Sequence, residues 1–249
     1  MANFAWPVDA PRRLLYDAGD LSCRNQDLEG AQQALADSTA ALLRDGQRVV
    51  VLGGGHEAAW GSFLGLSRAF PNANIGIINI DAHFDLRIGP IAHSGTPFRQ
   101  IADWHRERNK KFKYYCIGIA EHSNTSALYK SANELDVWFR HDFQIDDFIR
   151  GVAFDELIKA VDAVYLSLDL DVLPGWIMPA VSAPAARGVP PESIESLIDF
   201  VAGSGKLALA DVVEFNPTYD RDGLAAKVAA RLIWALARRW KYAPEAKRP

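Results

Sequence analysis

The chain has 249 residues, 49% of them hydrophobic and 23% charged, with 27 Lys plus Arg against 31 Asp plus Glu for a formal charge of −4. These values exclude a disordered chain, a collagen-like repeat and a disulfide scaffold, and the length suits one α/β domain over residues 1–249. The pI of ≈ 5.9 argues against a nucleic-acid partner, and no apolar run approaches the ~18 residues that span a bilayer. Met1 to Pro11 lacks the basic and apolar regions of a secretory signal, and two isolated cysteines, Cys23 and Cys116, fit a reducing compartment, so the expected location is cytoplasmic.

In chain order, short apolar runs alternate with helical periodicity. Asp27 to Arg44 places Leu28, Ala31, Leu35, Leu42 and Leu43 near one helical face, with Gly46 as the stop. Arg48 to Leu52 reads as a buried strand, Glu57 to Phe70 as a helix and Ile75 to Ile80 as a strand. Phe112 to Ile119 is a strand, Phe148 to Val161 a helix and Val161 to Leu168 a strand. Pro191 to Gly203 is a helix, Leu207 to Phe215 a strand, and Gly223 to Trp240 a helix with Leu224, Val228, Leu232, Leu236 and Trp240 on one stripe. Apolar strands alternating with helices predict a parallel sheet covered on both faces, with a ligand site at the carboxyl ends of the strands.

The polar motifs fall at those ends. Gly53-Gly54-Gly55-His56-Glu57 follows the first strand; its glycines permit a tight turn and close approach, and its order matches neither phosphate-loop pattern. Asp81-Ala82-His83-Phe84-Asp85 closes the second strand, with three potential ligands at i, i+2 and i+4 that an extended segment would project to one side. Ser167-Leu168-Asp169-Leu170-Asp171 repeats the alternation of acids at the end of another strand. Converging carboxylates repel one another unless a positive charge sits between them.

Together His56, Asp81, His83, Asp85, Asp169 and Asp171 offer oxygen-rich ligation with some nitrogen, which suits Mn²⁺ and leaves Zn²⁺ and Fe²⁺ open. Four aspartates balance two divalent ions, and a water bridging such a pair would ionise near neutral pH and serve as a hydroxide nucleophile. Glu214, in Val212-Val213-Glu214-Phe215-Asn216-Pro217, is placed to meet a cationic substrate nitrogen, although a helix cap or a surface ion pair would also explain it.

These four motifs, in this order, resemble those of the arginase, or ureohydrolase, superfamily, over about Asp17 to Trp240. The resemblance implies a three-layer α/β/α fold with a mostly parallel central sheet, here shortened at the amino end, where relatives carry a further strand and loop before the first helix. It also implies two Mn²⁺ per chain, a small-molecule substrate and a homo-oligomer, trimeric or hexameric. By position, His56 and Asp85 would hold one metal, His83 and Asp171 the other, and Asp81 and Asp169 would bridge them. Glu214 matches the acid that steadies the substrate's amidine-type nitrogens.

Within the superfamily the details are most similar to the formimidoylglutamase branch. The GGGHE form of the first motif, Arg87 after Asp85, Ser94 to Arg99 and Val181 to Gly188 carry that likeness. It implies hydrolysis of N-formimidoyl-L-glutamate to L-glutamate and formamide, a step of histidine degradation. Arg87 and Arg187 would then bind the substrate's two carboxylates. His93 is a candidate proton shuttle on the following loop, a register that Ser94 also fits.

Other guanidino substrates (agmatine, guanidinobutyrate, arginine) are the alternative, and Arg87 would repel the cationic tail of agmatine. The paired aspartates argue against a single-zinc deacetylase. A catalytically silent metal-binding member would have to keep this acid cluster for stability alone.

Overall fold

The computed structural model describes residues 15–145 and 152–240. Seven helices and six strands alternate through those residues. Helix α1 (Leu28–Arg44) leads to β1 (Val49–Leu52), α2 (Ala58–Ala69) to β2 (Ile75–Ile80), and α3 (Pro97–Glu107) to β3 (Lys113–Ile119). Then come α4 (Ser126–Glu134), β4 (Trp138–His141), α5 (Val152–Lys159), β5 (Ala163–Asp169), α6 (Pro191–Gly203), β6 (Leu207–Val213) and α7 (Leu224–Arg239).

The strands form one sheet in the order β1-β6-β5-β2-β3-β4, and every pairing is parallel. Side-chain alternation divides its faces. Ile78, Ile80, Leu166, Leu168, Ala210 and Val212 pack with α5, α6 and α7 in one core. Ile75, Ile77, Tyr165 and Leu209 pack with α1 to α4 in the other. This is the expected three-layer α/β/α arrangement, and β2 and β5 are buried along their whole lengths, as strands covered on both faces must be.

The expected helices and strands are present, with small shifts at their ends, but β1 is an edge strand with Leu52 exposed and not the buried strand its apolar run suggests. Asp27 caps α1 by accepting from the Gly30 N–H at 2.9 Å. Gly46, at φ 78°, stops it in a Schellman turn, with Gly46 N–H on the Leu43 carbonyl and Gln47 N–H on that of Leu42, both at 3.0 Å. The buried face of α1 is turned from the expected stripe, because Gln32, Ala36, Thr39 and Ala40 join Leu43 against α2. Small residues make this possible: a side chain at Gly61 or Gly65 would collide with the α1 backbone. On α7 the stripe holds from Leu232 to Trp240, whereas Leu224 is exposed and Ala225 takes the core position.

The helix expected from Phe148 spans Val152–Lys159, and its expected start at 148–151 lies outside the described residues. Residues 1–14 and the polar end at 241–249 also lie outside them. The sequence reading passed over α3, α4 and β4. Helix α3 follows a glycine-proline loop that masks its start, although Phe98, Ile101, Ala102 and His105 recur at helical spacing and are buried. Strand β4 is a four-residue edge whose side chains are only partly covered, so it lacks an apolar run. Among the described residues no helix is long and apolar enough to cross a membrane.

Candidate metal centre

The sheet register brings the acid motifs together. Ile80 pairs with Leu168, so Asp81 and Asp169 emerge side by side from adjacent central strands. Asp169 pairs with Val213, which places Glu214 one residue beyond on the next strand. His56 arrives from the turn after β1, next to β6.

Local turns complete the convergence, and here the geometry corrects the expectation of an extended segment. Strand β2 ends at Ile80, and Asp85 has a left-handed φ of 49°, so the chain bends instead of continuing. The Asp81 Oδ1 accepts from the His83 N–H at 2.7 Å. Strand β5 ends at Asp169, whose Oδ1 accepts from the Asp171 N–H at 2.8 Å as Leu170–Val172 forms a 3₁₀ turn. The same aspartate-capped turn therefore aims the second ligand of each motif.

Two overlapping groups result, one of His56, Asp81, Asp85 and Asp169 and one of Asp81, His83 and Asp171. His56 Nδ1 lies 3.1 Å from Asp81, 2.9 Å from Asp85 and 3.0 Å from Asp169. Although this nitrogen is fully buried, it has no hydrogen-bond partner among the described residues, and neither has Asp171 Oδ1. Three carboxylates facing one imidazole nitrogen without hydrogen-bond geometry is the donor arrangement of a cation site. Asp81 shares both groups: its Oδ2 faces His56, while its Oδ1 and Asp171 lie 3.5 and 3.0 Å from His83 Nδ1.

The titration of these residues reflects crowding. Burial lowers His83, but hydrogen bonds to Asp171 and Asp81 outweigh it and push the imidazole up to about 12. Burial and the Asp81 charge raise Asp85 to about 6. Burial and the Asp171 and Asp81 charges hold Asp169 well above the usual carboxylate range. Asp81 moves the other way, because the His56 and His83 imidazoles beside it outweigh burial. One central acid stays ionised while its neighbours resist ionisation; divalent cations relieve that conflict.

The cleft above is lined by five of the six candidate ligands, all but the fully buried Asp81, and by Arg87, His93, Ser94, Ser182 and Glu214. Among the described residues Glu214 is neither a helix cap nor part of a surface ion pair. Its Oε1 accepts from the His56 N–H at 2.7 Å and its Oε2 from Ser182 Oγ at 3.3 Å. The triple-glycine turn holds it there: Gly53 and Gly54 are left-handed, and Gly54 O accepts from the Glu214 N–H at 2.9 Å. Glu214 itself is at φ 68°, a strained backbone at the rim of a cleft.

Arg87 and His93 pack over Gly95, where any side chain would strike both. His93 Nδ1 accepts from the Gly95 N–H at 3.1 Å, leaving Nε2 as the nitrogen that carries a proton. Arg187 is exposed and does not line the cleft. Of the remaining histidines, His105 is a core residue whose Nδ1 meets the Ile101 carbonyl at 2.8 Å.

Sequence reasoning missed the layer beneath the ligands. Asn79 donates to Asp81 Oδ2 at 2.8 Å, Ser167 meets His56 Nε2 at 2.9 Å, and the fully buried Asp211 accepts from Ser167 at 2.6 Å. The signal was present: each is a polar residue inside an apolar strand run, on the same face as the acids that end β2 and β5.

The arginase family sequence model matches residues 3–238. The chain belongs to the arginase family. A formimidoylglutamase of Chromobacterium violaceum is 50% identical over 242 residues, covering 96% of this chain and 77% of that one. A formimidoylglutamase of Citrobacter koseri is 49% identical over 227 residues, covering 91% and 72%. Among solved structures, the formimidoylglutamase of Bacillus subtilis aligns with a TM-score of 0.80 at 23% identity, over 92% of this chain and 72% of that one. The Trypanosoma cruzi formiminoglutamase with Mn²⁺ does so at 0.80 and 24%, over 90% and 75%. At these identities the structural matches establish the fold.

Proposed function

We propose that the chain hydrolyses N-formimidoyl-L-glutamate to L-glutamate and formamide, using two Mn²⁺ held at the acid cluster. The observation that carries this reading is the pair of ligand groups sharing Asp81 beneath a cleft that also presents Arg87 and Glu214. Relatives named formimidoylglutamase at 49–50% identity support the same substrate.

His56 and Asp85 would hold one cation, His83 and Asp171 the other, with Asp81 and Asp169 between them. Asp81 is suited to bridging because its two oxygens face the two groups. Asp169 has one oxygen tied to the Asp171 N–H and offers the other to His56 and its neighbours. The bound cations would supply positive charge that makes water acidic near neutral pH.

The substrate is a planar cationic amidine with two carboxylates. Glu214, its carboxylate fixed by the His56 N–H and Ser182, orients the amidine nitrogens over the cluster. Arg87 at the cleft wall pairs with a substrate carboxylate, and this choice disfavours agmatine, whose tail ends in a cation. His93, with Nδ1 occupied by the Gly95 N–H, would offer Nε2–H from the cleft wall as a proton donor to the leaving nitrogen. Arg187 takes the second carboxylate only if its loop moves toward the cleft, so its replacement has the smaller effect. The resemblance that suggested a trimer or hexamer, and a cytoplasmic place in histidine breakdown, extends this reading.

The test is a product assay on Mn²⁺-loaded protein with formimidoylglutamate and guanidino substrates side by side. Formamide release from the former with little urea from the latter is expected; urea release alone would assign a different member reaction.

A further inference from the structure

Beneath the candidate ligands lies a carboxylate that touches neither the cleft nor any of them. Asp211, in the middle of β6, is fully buried, and among the described residues it forms no ion pair. Both oxygens are occupied by hydroxyl donors. Ser167 Oγ, its cross-strand neighbour, donates to Oδ1 at 2.6 Å, and the buried Tyr165 hydroxyl donates to Oδ2.

Proton counting then fixes the next contact. Ser167 has a single hydroxyl proton, and the Asp211 carboxylate takes it. The Ser167 oxygen therefore faces His56 Nε2, 2.9 Å away, with a lone pair, so Nε2 must carry a proton. The imidazole that binds a cation is neutral and has one N–H, so with Nε2 protonated it is Nδ1 that offers its lone pair. Nδ1 is the atom that sits among the carboxylates of Asp81, Asp85 and Asp169. The His56 ring is held from the side by the edge contact of Phe98, 5.2 Å between centroids.

We infer that Asp211 is a positioning residue: acting through Ser167, it fixes His56 in the tautomer that opens Nδ1 to a divalent cation. This rests on the two-cation reading proposed above. Tyr165 matters because its proton has to go to Asp211, which makes the relay directional.

That directionality gives a test in which a second substitution should repair the first. In Asp211→Asn the Tyr165 hydroxyl still needs an acceptor, so the amide oxygen turns to Tyr165 and the amide NH₂ turns to Ser167. Ser167 then becomes the acceptor there and donates its proton to Nε2. This drives the His56 proton onto Nδ1, where it blocks the cation. Adding Tyr165→Phe removes the demand on the amide oxygen, which can rotate to face Ser167 and restore the original direction.

The measurement is Mn²⁺ binding by calorimetry and bound metal per chain, with thermal melts of the metal-free proteins to confirm folding. Wild type is expected to bind two Mn²⁺. Asp211→Asn should hold one with its affinity weakened about tenfold or more, and Asp211→Asn with Tyr165→Phe should recover much of that loss. Unchanged binding in Asp211→Asn, or a double variant weaker than the single one, would overturn the relay. Fewer than two Mn²⁺ in wild type would instead overturn the two-cation reading beneath it. Should Asp211→Asn fail to fold, Ser167→Ala decides the point, because it removes the oxygen that faces His56 Nε2: one Mn²⁺ held about tenfold or more weakly supports the relay, and unchanged binding overturns it.

Discussion

The two faces of the sheet are built from the same strands at the same depth, yet their central side chains differ in kind. Toward α5, α6 and α7, strands β2, β5 and β6 present Ile78, Ile80, Leu166, Leu168, Ala210 and Val212. Toward α1 to α4 the alternating positions include Asn79, Asp81, Tyr165, Ser167, Asp169 and Asp211, all buried. The first face is a packed core whose contribution is area removed from water. The second carries polar groups that would each be costly unless partnered, and the partners run in chains from Asp211 and Asn79 up to the ligands. Both faces carry a hydrophobic core, but the metal geometry is built on one of them alone.

Substitutions on the two faces should therefore separate metal binding from folding. The largest effect is expected from Asp81→Asn, which removes the acid common to both ligand groups. Both Mn²⁺ should be lost on gel filtration and hydrolysis should fall below detection; retention of two metals would show that Asp81 does not bridge. On the opposite face, Leu166→Ala should lower the unfolding free energy by about 2–5 kcal/mol while metal content stays at the wild-type value, checked by denaturant melts and metal analysis. Metal loss at full occupancy of the folded state would break the comparison.

A third expectation concerns pH. In the metal-free protein His83 is protonated up to about 12 and Asp85 up to about 6. A cation must displace those protons, so Mn²⁺ affinity rises with pH, by about tenfold per unit for each proton released. The His83 and His56 protons are displaced in the neutral range, and below about 6 the Asp85 proton is added, so the dependence steepens there. Calorimetry in buffers of different ionisation enthalpy counts the protons; an affinity independent of pH would contradict the arrangement. The smallest effect is that of Arg87→Ala, expected to raise KM for formimidoylglutamate about tenfold with two metals still bound, as for one lost charge-assisted pair. An unchanged KM would remove Arg87 from substrate recognition.

Much of the fold was legible because its periodicities are strong. Ile75–Ile80 and Pro191–Gly203 have the expected ends, and Gly46 stops α1 as its position suggests. The ligand set was legible because six residues cluster at strand ends in sequence as well as in space. What local patterns could not carry was how the chain bends there. The Asp81 and Asp169 turns depend on each side chain capping an N–H two residues on, and the left-handed Asp85 and Glu214 are held by contacts distant in sequence. The clasp of Gly54 on Glu214 joins residues 160 positions apart, and the Asp211 relay becomes visible only when β5 and β6 are aligned in register.

The most direct test of the account is anomalous diffraction at the manganese edge from crystals of the Mn²⁺-loaded protein. Two peaks are predicted, one beside His56 Nδ1 and Asp85 and one beside His83 Nδ1 and Asp171, with Asp81 reaching both. A single peak, or two that do not share Asp81, would contradict it.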